Sequence, residues 1–280
     1  MSNIDTLPED CVSSILSFTS PADASRFCLV SSSLRSPALS DLLWLSFLPD
    51  DYNHIVSRAL APLLFSSKRD LFHALSHPIL IDGGSKCFQL DKSSAKKSYI
   101  LSATELSLTR GNDPMAWSWI LMPESRFSVV ARLRTLSSLE IKCKIRTGIL
   151  TPNTWYGAYL IVKVFQGAYG LDSAASEVFV EVGGVVKKGE AYLCEKDERK
   201  QKTEALFYGN RREMLERSSA VTKEDRKYPS RRPDGWTEIE LGEFYSGEED
   251  QEVKMSLREV GYQLKAGLVV EGIQLRPKHA

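Results

Sequence analysis

Residues Leu7–Leu48 read LPEDCVSSILSFTSPADASRFCLVSSSLRSPALSDLLWLSFL, and the pattern predicts three short helical pieces. Thr6 followed by Glu9, and Ser20 followed by Asp23, have the spacing of capping boxes, with Pro8 and Pro21 in opening turns where a missing N–H costs little. The first piece carries Cys11, Val12, Ile15, Leu16 and Phe18, and the second Ala24, Phe27, Cys28 and Leu29. The third carries Leu39, Leu42, Leu43, Trp44, Phe47 and Leu48. These stripes are wider than one internal contact requires. About forty residues cannot bury enough surface to stand alone without a metal, a disulfide or a partner. No metal-ligand spacing is present, so the surplus apolar face has two readings. It docks a second protein, or it caps the rest of its own chain.

The chain continues for long enough, at 280 residues, to hold one large domain or two ordinary ones. Its 42% hydrophobic and 26% charged content is that of a globular protein. No run approaches the length needed to span a membrane, and no basic region precedes an apolar core at the start, so neither secretion nor membrane insertion is expected. Cys11, Cys28, Cys87, Cys143 and Cys194 are odd in number, scattered and without a CxxC. That usage predicts reduced thiols in the cytoplasm or nucleus. The formal net charge of zero conceals an asymmetry. Residues 1–67 hold seven acidic residues and three arginines, a net of −4, and the remainder carries +4. Neither imbalance argues for nucleic acid.

Past Pro49, two further helices are predicted, Asn53–Ala61 and Ser67–His77, with Pro62, Pro78 and Asp82-Gly83-Gly84 as breaks. Residues 49–84 thus read as a helical connector that fixes the geometry between residues 1–48 and residues 85–280. From Lys86 the period changes. Leu139–Arg146 alternates apolar and charged residues, the signature of a strand with one face in water. Trp155–Phe165 is apolar on both faces, as a central strand would be. Trp117–Met122, Phe127–Leu133, Glu177–Val182, Trp236–Leu241, Val253–Leu257 and Leu268–Leu275 complete an antiparallel β-sandwich or jelly roll, so the whole is of α+β multidomain class. Between Cys194 and Pro233 the composition becomes dense in Lys, Arg and Glu. This reads as a long excursion with a short helix near Arg211–Arg217 and a basic tail, Arg226–Arg232, suited to nuclear import or an anionic partner, or simply to a solvated loop.

Catalytic signals are few. There is no Gly-rich phosphate loop, GxSxG turn or HExxH, and three of the four histidines (His54, His73, His77) fall in the connector. Glu238 and Glu240 share one strand face, an arrangement open to a sugar hydroxyl, a glycosidase pair or plain solvation. Trp117 and Trp119 also share a face, as a platform for sugars or peptides or as core. No cofactor is implied, and the chain is expected not to be an enzyme.

Two resemblances sharpen these readings. Leu7-Pro8, Ile15-Leu16, Asp23-Ala24, Cys28-Leu29-Val30-Ser31, Leu34 and Leu43-Trp44 resemble the F-box motif in order and spacing. The resemblance implies that Leu7, Pro8, Ile15, Leu16, Leu34, Leu43 and Trp44 bind a Skp-type adaptor and through it a cullin. Over 98–278 the chain resembles the phloem protein 2 family, plant lectin-like domains of the Nictaba type. The likeness is carried by Ser98–Ala103, Trp117-Ser118-Trp119-Ile120, Leu150–Thr154, Tyr156–Leu160, Asp234–Phe244 and Gly267–Ile273. It implies a jelly roll whose relatives bind N-acetylglucosamine oligomers or N-glycan cores through two tryptophans seven residues apart. Here the second matches Trp117, whereas the first falls on Arg110, which lacks the broad face for sugar packing. Arg110, Trp117, Trp119, Glu238 and Glu240 are thus the expected carbohydrate site. The function expected is a substrate receptor of a Skp–cullin–F-box ubiquitin ligase holding a protein or glycoprotein target, the alternative being a free cytosolic or nuclear lectin.

Overall fold

A computed structural model describes residues 7–172, 175–194, 226–259, 261 and 263–278. They fall into two compact units, one within Met1–Ile100 with Ile149–Thr151, the other formed by Leu101–Gly148 and Pro152–Lys278. Among the described residues no helix is long and apolar enough to cross a membrane.

In the first unit the stretch read as three helical pieces forms four helices: α1 (Glu9–Leu16), α2 (Pro21–Phe27), α3 (Ser32–Leu39) and α4 (Asp41–Phe47). The one the apolar pattern did not mark is α3. Its sequence, SSLRSPAL, is mostly serine and carries Pro37 inside, so neither periodicity nor propensity announces it. It forms because Ser31 caps it and because Leu34 and Ala38 are buried against neighbouring helices. The predicted cap at Ser20 is present, its Oγ accepting the Asp23 N–H at 3.1 Å, with Pro21 at the first helical position. Thr6, the other predicted cap, lies outside the described residues, and α1 starts from Pro8 without a side-chain cap.

Two more helices follow, α5 (Tyr52–Ser57) and α6 (Lys68–Leu75), the latter capped by Ser67, which accepts the Asp70 N–H at 3.0 Å. Trp44 of α4 is the centre of this unit. It is fully buried, its Nε1–H donates to the Ala38 carbonyl at 2.9 Å, and its ring lies 5.7 Å from Phe47 and 5.3 Å from Phe72 of α6. His73 packs 5.4 Å from the same indole, and burial holds its imidazole below the usual pKa. Helices α1 to α4 and the helices after them therefore share one core. A hairpin of β1 (Ile79–Ile81) and β2 (Lys86–Leu90) closes the unit, and β3 (Lys97–Ser102) leads out of it. At the hairpin's bend Asp82, in left-handed backbone with φ 54°, accepts from Arg58 Nε and Nη2 at 2.6 Å each and from Lys86 at 2.9 Å.

The second unit is the expected antiparallel sandwich. Its remaining strands are β4 (Ser107–Leu108), β5 (Trp117–Ile120), β6 (Val130–Leu133), β7 (Leu139–Arg146), β8 (Thr154–Tyr169), β9 (Ser176–Val182), β10 (Val185–Ala191), β11 (Arg226–Lys227), β12 (Ser230–Arg231), β13 (Thr237–Ser246), β14 (Glu252–Glu259) and β15 (Ala266–Pro277). One sheet runs β5-β6-β15-β8-β13-β12 and the other β11-β10-β9-β14-β7-β4, every pair given in register being antiparallel except β10 with β11. β7 buries Leu139, Ile141, Cys143 and Ile145 and exposes its lysines, as the alternation requires. β8 is buried on both faces from Tyr156 to Val162. Inner residues of the two sheets meet: a Cβ on Gly242 of β13 would stand 2.9 Å from Val180 of β9.

Of the charged excursion, residues 195–225, including the helix predicted near Arg211–Arg217, lie outside the described residues. The tail that follows forms β11 and β12, where Lys227 donates to Glu240 at 2.8 Å and Arg232, next in the chain, donates to Glu238 at 2.7 Å.

Candidate functional site

Seven residues were expected to face an adaptor, and the fold divides them. Leu7, Pro8 and Ile15 are exposed. Leu16, Leu34, Leu43 and Trp44 are buried in the first unit's own core, so they shape the helices and offer nothing to grip. The division follows from helical phase. In α4, Leu43, Trp44 and Phe47 point inward at i, i+1 and i+4, which leaves Leu42 and Leu45 outside. The surplus apolar surface is nevertheless real. Phe18 is 92% exposed and Leu29 87%, and Val30 and Leu42 are exposed with them. The stripe counts already contained Phe18, Leu29 and Leu42. What they lacked was the phase, which Trp44 sets.

The expected carbohydrate residues also separate. Trp117 is 2% exposed, and its Nε1–H donates to the Thr109 carbonyl at 2.9 Å, pinning the turn that holds Arg110. Arg110 has φ 53° and pairs with Asp113, while Trp119 is 44% exposed. Strand register shows where these stand relative to the carboxylates. Trp119 opposes Ala131, Ala131 opposes Val270, Val270 opposes Val162 and Val162 opposes Thr237. Trp119 thus shares a sheet face with Thr237, and Glu238 and Glu240 point to the opposite face. They are also four strand spacings away, roughly 19 Å. The five residues do not form one site.

Glu238 and Glu240 instead belong to a charge lattice. Arg276 donates to Glu238 at 2.6 and 2.8 Å and Arg232 at 2.7 Å, while Arg232 also reaches Gln274 at 2.6 Å. The Arg276 guanidinium lies 3.8 Å from the Tyr159 ring centroid, and Lys278 pairs with Glu243. Burial pushes the Glu238 carboxyl up, but the hydrogen bonds and charges of Arg276 and Arg232 outweigh it and hold Glu238 below its ordinary pKa. A glycosidase acid needs the reverse, a carboxyl kept protonated. Beyond this lattice, Arg126 bridges Asp234 and the fully buried Glu271, whose carboxylate also accepts the Arg126 N–H at 2.9 Å. The Trp236 indole in turn donates to the Glu124 carbonyl at 3.1 Å. The Asp234–Phe244 block that carries the resemblance is therefore largely architectural.

Comparison with known proteins agrees with both halves. The family described as F-box domain matches residues 4–47, and that described as Phloem protein 2 matches residues 96–277. F-box protein PP2-B15 of Arabidopsis thaliana is 48% identical over 97% of this chain and 96% of its own length. F-box protein PP2-B13 is 48% identical over 97% and 98%, and F-box protein VBF 46% identical over 97% and 99%, both from the same plant. Among solved structures, the CBM22-1 xylan-binding domain of Paenibacillus barcinonensis Xyn10C overlaps with a TM-score of 0.29 at 13% identity, over 64% of this chain and 89% of that domain. That overlap is too loose to bear on fold or ligand. With an F-box at its head and nearly two thirds of its length in the second family, the chain belongs to the F-box proteins that carry a phloem protein 2 domain.

Proposed function

We propose that this protein is the substrate-receptor subunit of a Skp–cullin–F-box ubiquitin ligase. The observation that carries the reading is the set of large apolar side chains left outside an otherwise well-packed helical unit: Leu7, Ile15, Phe18, Leu29, Val30 and Leu42. Large apolar side chains left exposed in this number on one small unit suit a protein interface. In this reading the helices bind a Skp-type adaptor, which connects them to a cullin, and the sandwich holds a protein or glycoprotein target. The receptor does no bond chemistry of its own. It tethers the target beside the charged conjugating enzyme and so raises its effective concentration. Five cysteines without a disulfide suit work in the cytoplasm or nucleus. Sugar binding through the two-tryptophan platform is not part of the reading, because Trp117 has no free face and Arg110 is paired with Asp113.

The test is recovery of a Skp-type adaptor by the full chain and by a Leu7→Ala/Pro8→Ala/Ile15→Ala variant. Loss of one apolar anchor costs ~2 kcal/mol, about thirtyfold in affinity. Equal recovery by the two would reject the assignment.

A further inference from the structure

The ladder between β8 and β15 breaks near its end. Val164 opposes Leu268 and Tyr169 opposes Ala266, so β15 passes one residue where β8 passes four. The extra length, Phe165 to Ala168, leaves the ladder as a bulge, a device that proteins place beside functional sites. It packs tightly on β15. Gly267, in left-handed backbone with φ 83°, lies so close that a Cβ there would stand 2.7 Å from the Ala168 Cβ. Residues of this bulge, of β6 and of β5 together line a cavity of about 450 Å³.

The polar part of the lining is rich in donors. β6 supplies Arg132 and, just past its end, Arg134, while β5 supplies Ser118 and the bulge supplies Gln166. The Arg132 guanidinium is held over the Phe165 ring, 4.8 Å from its centroid, a contact that consumes none of its N–H donors. Arg134 donates to the Pro114 carbonyl at 3.0 Å, which orients it and leaves its other N–H groups for a ligand. Both arginines are exposed, and neither has a carboxylate partner among the described residues. No acidic residue lines the cavity among those residues. Tyr169, 48% exposed, adds a second aromatic ring to the wall that Phe165 begins.

Two guanidiniums without counter-charge, flanked by a hydroxyl and a primary amide, match a phosphate monoester. Near neutral pH that group carries close to two negative charges and three acceptor oxygens, and the planar arginine fork pairs with it bidentately. We infer that this cavity receives a phosphorylated serine or threonine on an extended segment of the target protein. The inference rests on the target-receptor reading and names the mark by which the target is chosen. Arg132 and Arg134 hold the phosphate, Ser118 and Gln166 donate to its remaining oxygens, and Phe165 and Tyr169 offer apolar surface to the residue beside it. A neutral sugar leaves both arginine charges uncompensated. Nucleic acid calls for a stripe of cations that follows a backbone, whereas here the charge is confined to one hollow.

The probe is a pool of fluorescein-labelled peptides of about nine residues, degenerate except for one central phosphoserine, passed over the immobilised full chain. We expect the phosphorylated pool to be retained about tenfold or more above the same pool carrying serine, and to be eluted by excess inorganic phosphate. Arg132→Gln and Arg134→Gln should each lower retention about tenfold. Lys188→Gln, which removes an exposed cation from the other sheet, should leave it unchanged. Thermal unfolding of all three variants should match the wild type, since the side chains are exposed. Equal retention of the two pools, full retention by both arginine variants, or an equal loss in Lys188→Gln would each overturn the proposal. So would arginine-dependent binding of inorganic phosphate with no retention of phosphopeptide, since that result assigns the cavity to a free anion. Adaptor recovery by the same preparations separates the two readings. A wild type that retains phosphopeptide but no adaptor sinks the ligase assignment alone, and one that recovers adaptor but no phosphopeptide sinks the phosphate site alone.

Discussion

Trp44 and Ile15 both belong to the F-box resemblance, yet they do opposite work. Trp44 is enclosed by Phe47, Phe72 and the Ala38 carbonyl, whereas Ile15 points outward from α1. Trp44→Ala removes a buried ring and should cost about 3–5 kcal/mol in urea unfolding. Ile15→Asp should change stability by no more than about 0.5 kcal/mol while abolishing adaptor recovery. If Ile15→Asp unfolded the protein, the outward face would belong to the core after all. Asp82 gives a second residue-scale expectation. The hydrogen bond from Arg58, then that from Lys86, holds its carboxyl far below the ordinary value. A folded pKa below the unfolded one means that its stabilisation is complete above the unfolded-state value, near ~4, and is lost as pH falls through the folded value. Asp82→Asn should therefore lower the unfolding free energy read from urea titration at neutral pH by about 1 kcal/mol and flatten the acid limb of the stability–pH curve. A variant curve parallel to the wild type at all pH values would refute this.

At the scale of elements, the sandwich depends on close backbone approaches that only glycine allows. The carbonyl oxygen of Leu101 would lie 2.0 Å from a Cβ at Gly272, in the middle of β15 and beside a register shift. Neither backbone can retreat without breaking a ladder, so Gly272→Ala should cost about 3 kcal/mol or more and reduce soluble yield. A urea midpoint within error of the wild type would show that the strands have slack. The strands themselves were largely legible. Leu139–Arg146 was predicted with its observed ends, because one face in water forces strict alternation. Helix α3 was not, because a short serine-rich helix with an internal proline leaves no periodic trace until its neighbours supply a wall.

For the molecule as a whole, zero formal net charge and an isoelectric point near 6.9 leave little self-repulsion at neutral pH. Light scattering at low ionic strength should peak near that pH and fall on either side. A scattering minimum there would mean that local charge asymmetry outweighs the sum. The sequence by itself determined the class of each half, an F-box-like helical head and an antiparallel sandwich. Hydrophobic period and turn residues act over a few positions, and both survive in the linear order. Only the tertiary structure decided which apolar residues remain available and which candidate residues meet. It turned Leu16, Leu34, Leu43 and Trp44 inward, set Trp119 and Glu238 on opposite faces, and placed Lys187 over Trp155. The physical reason is that a side chain's partners are fixed by helical phase, strand register and the distance across a sheet, and these are settled only when distant segments pack.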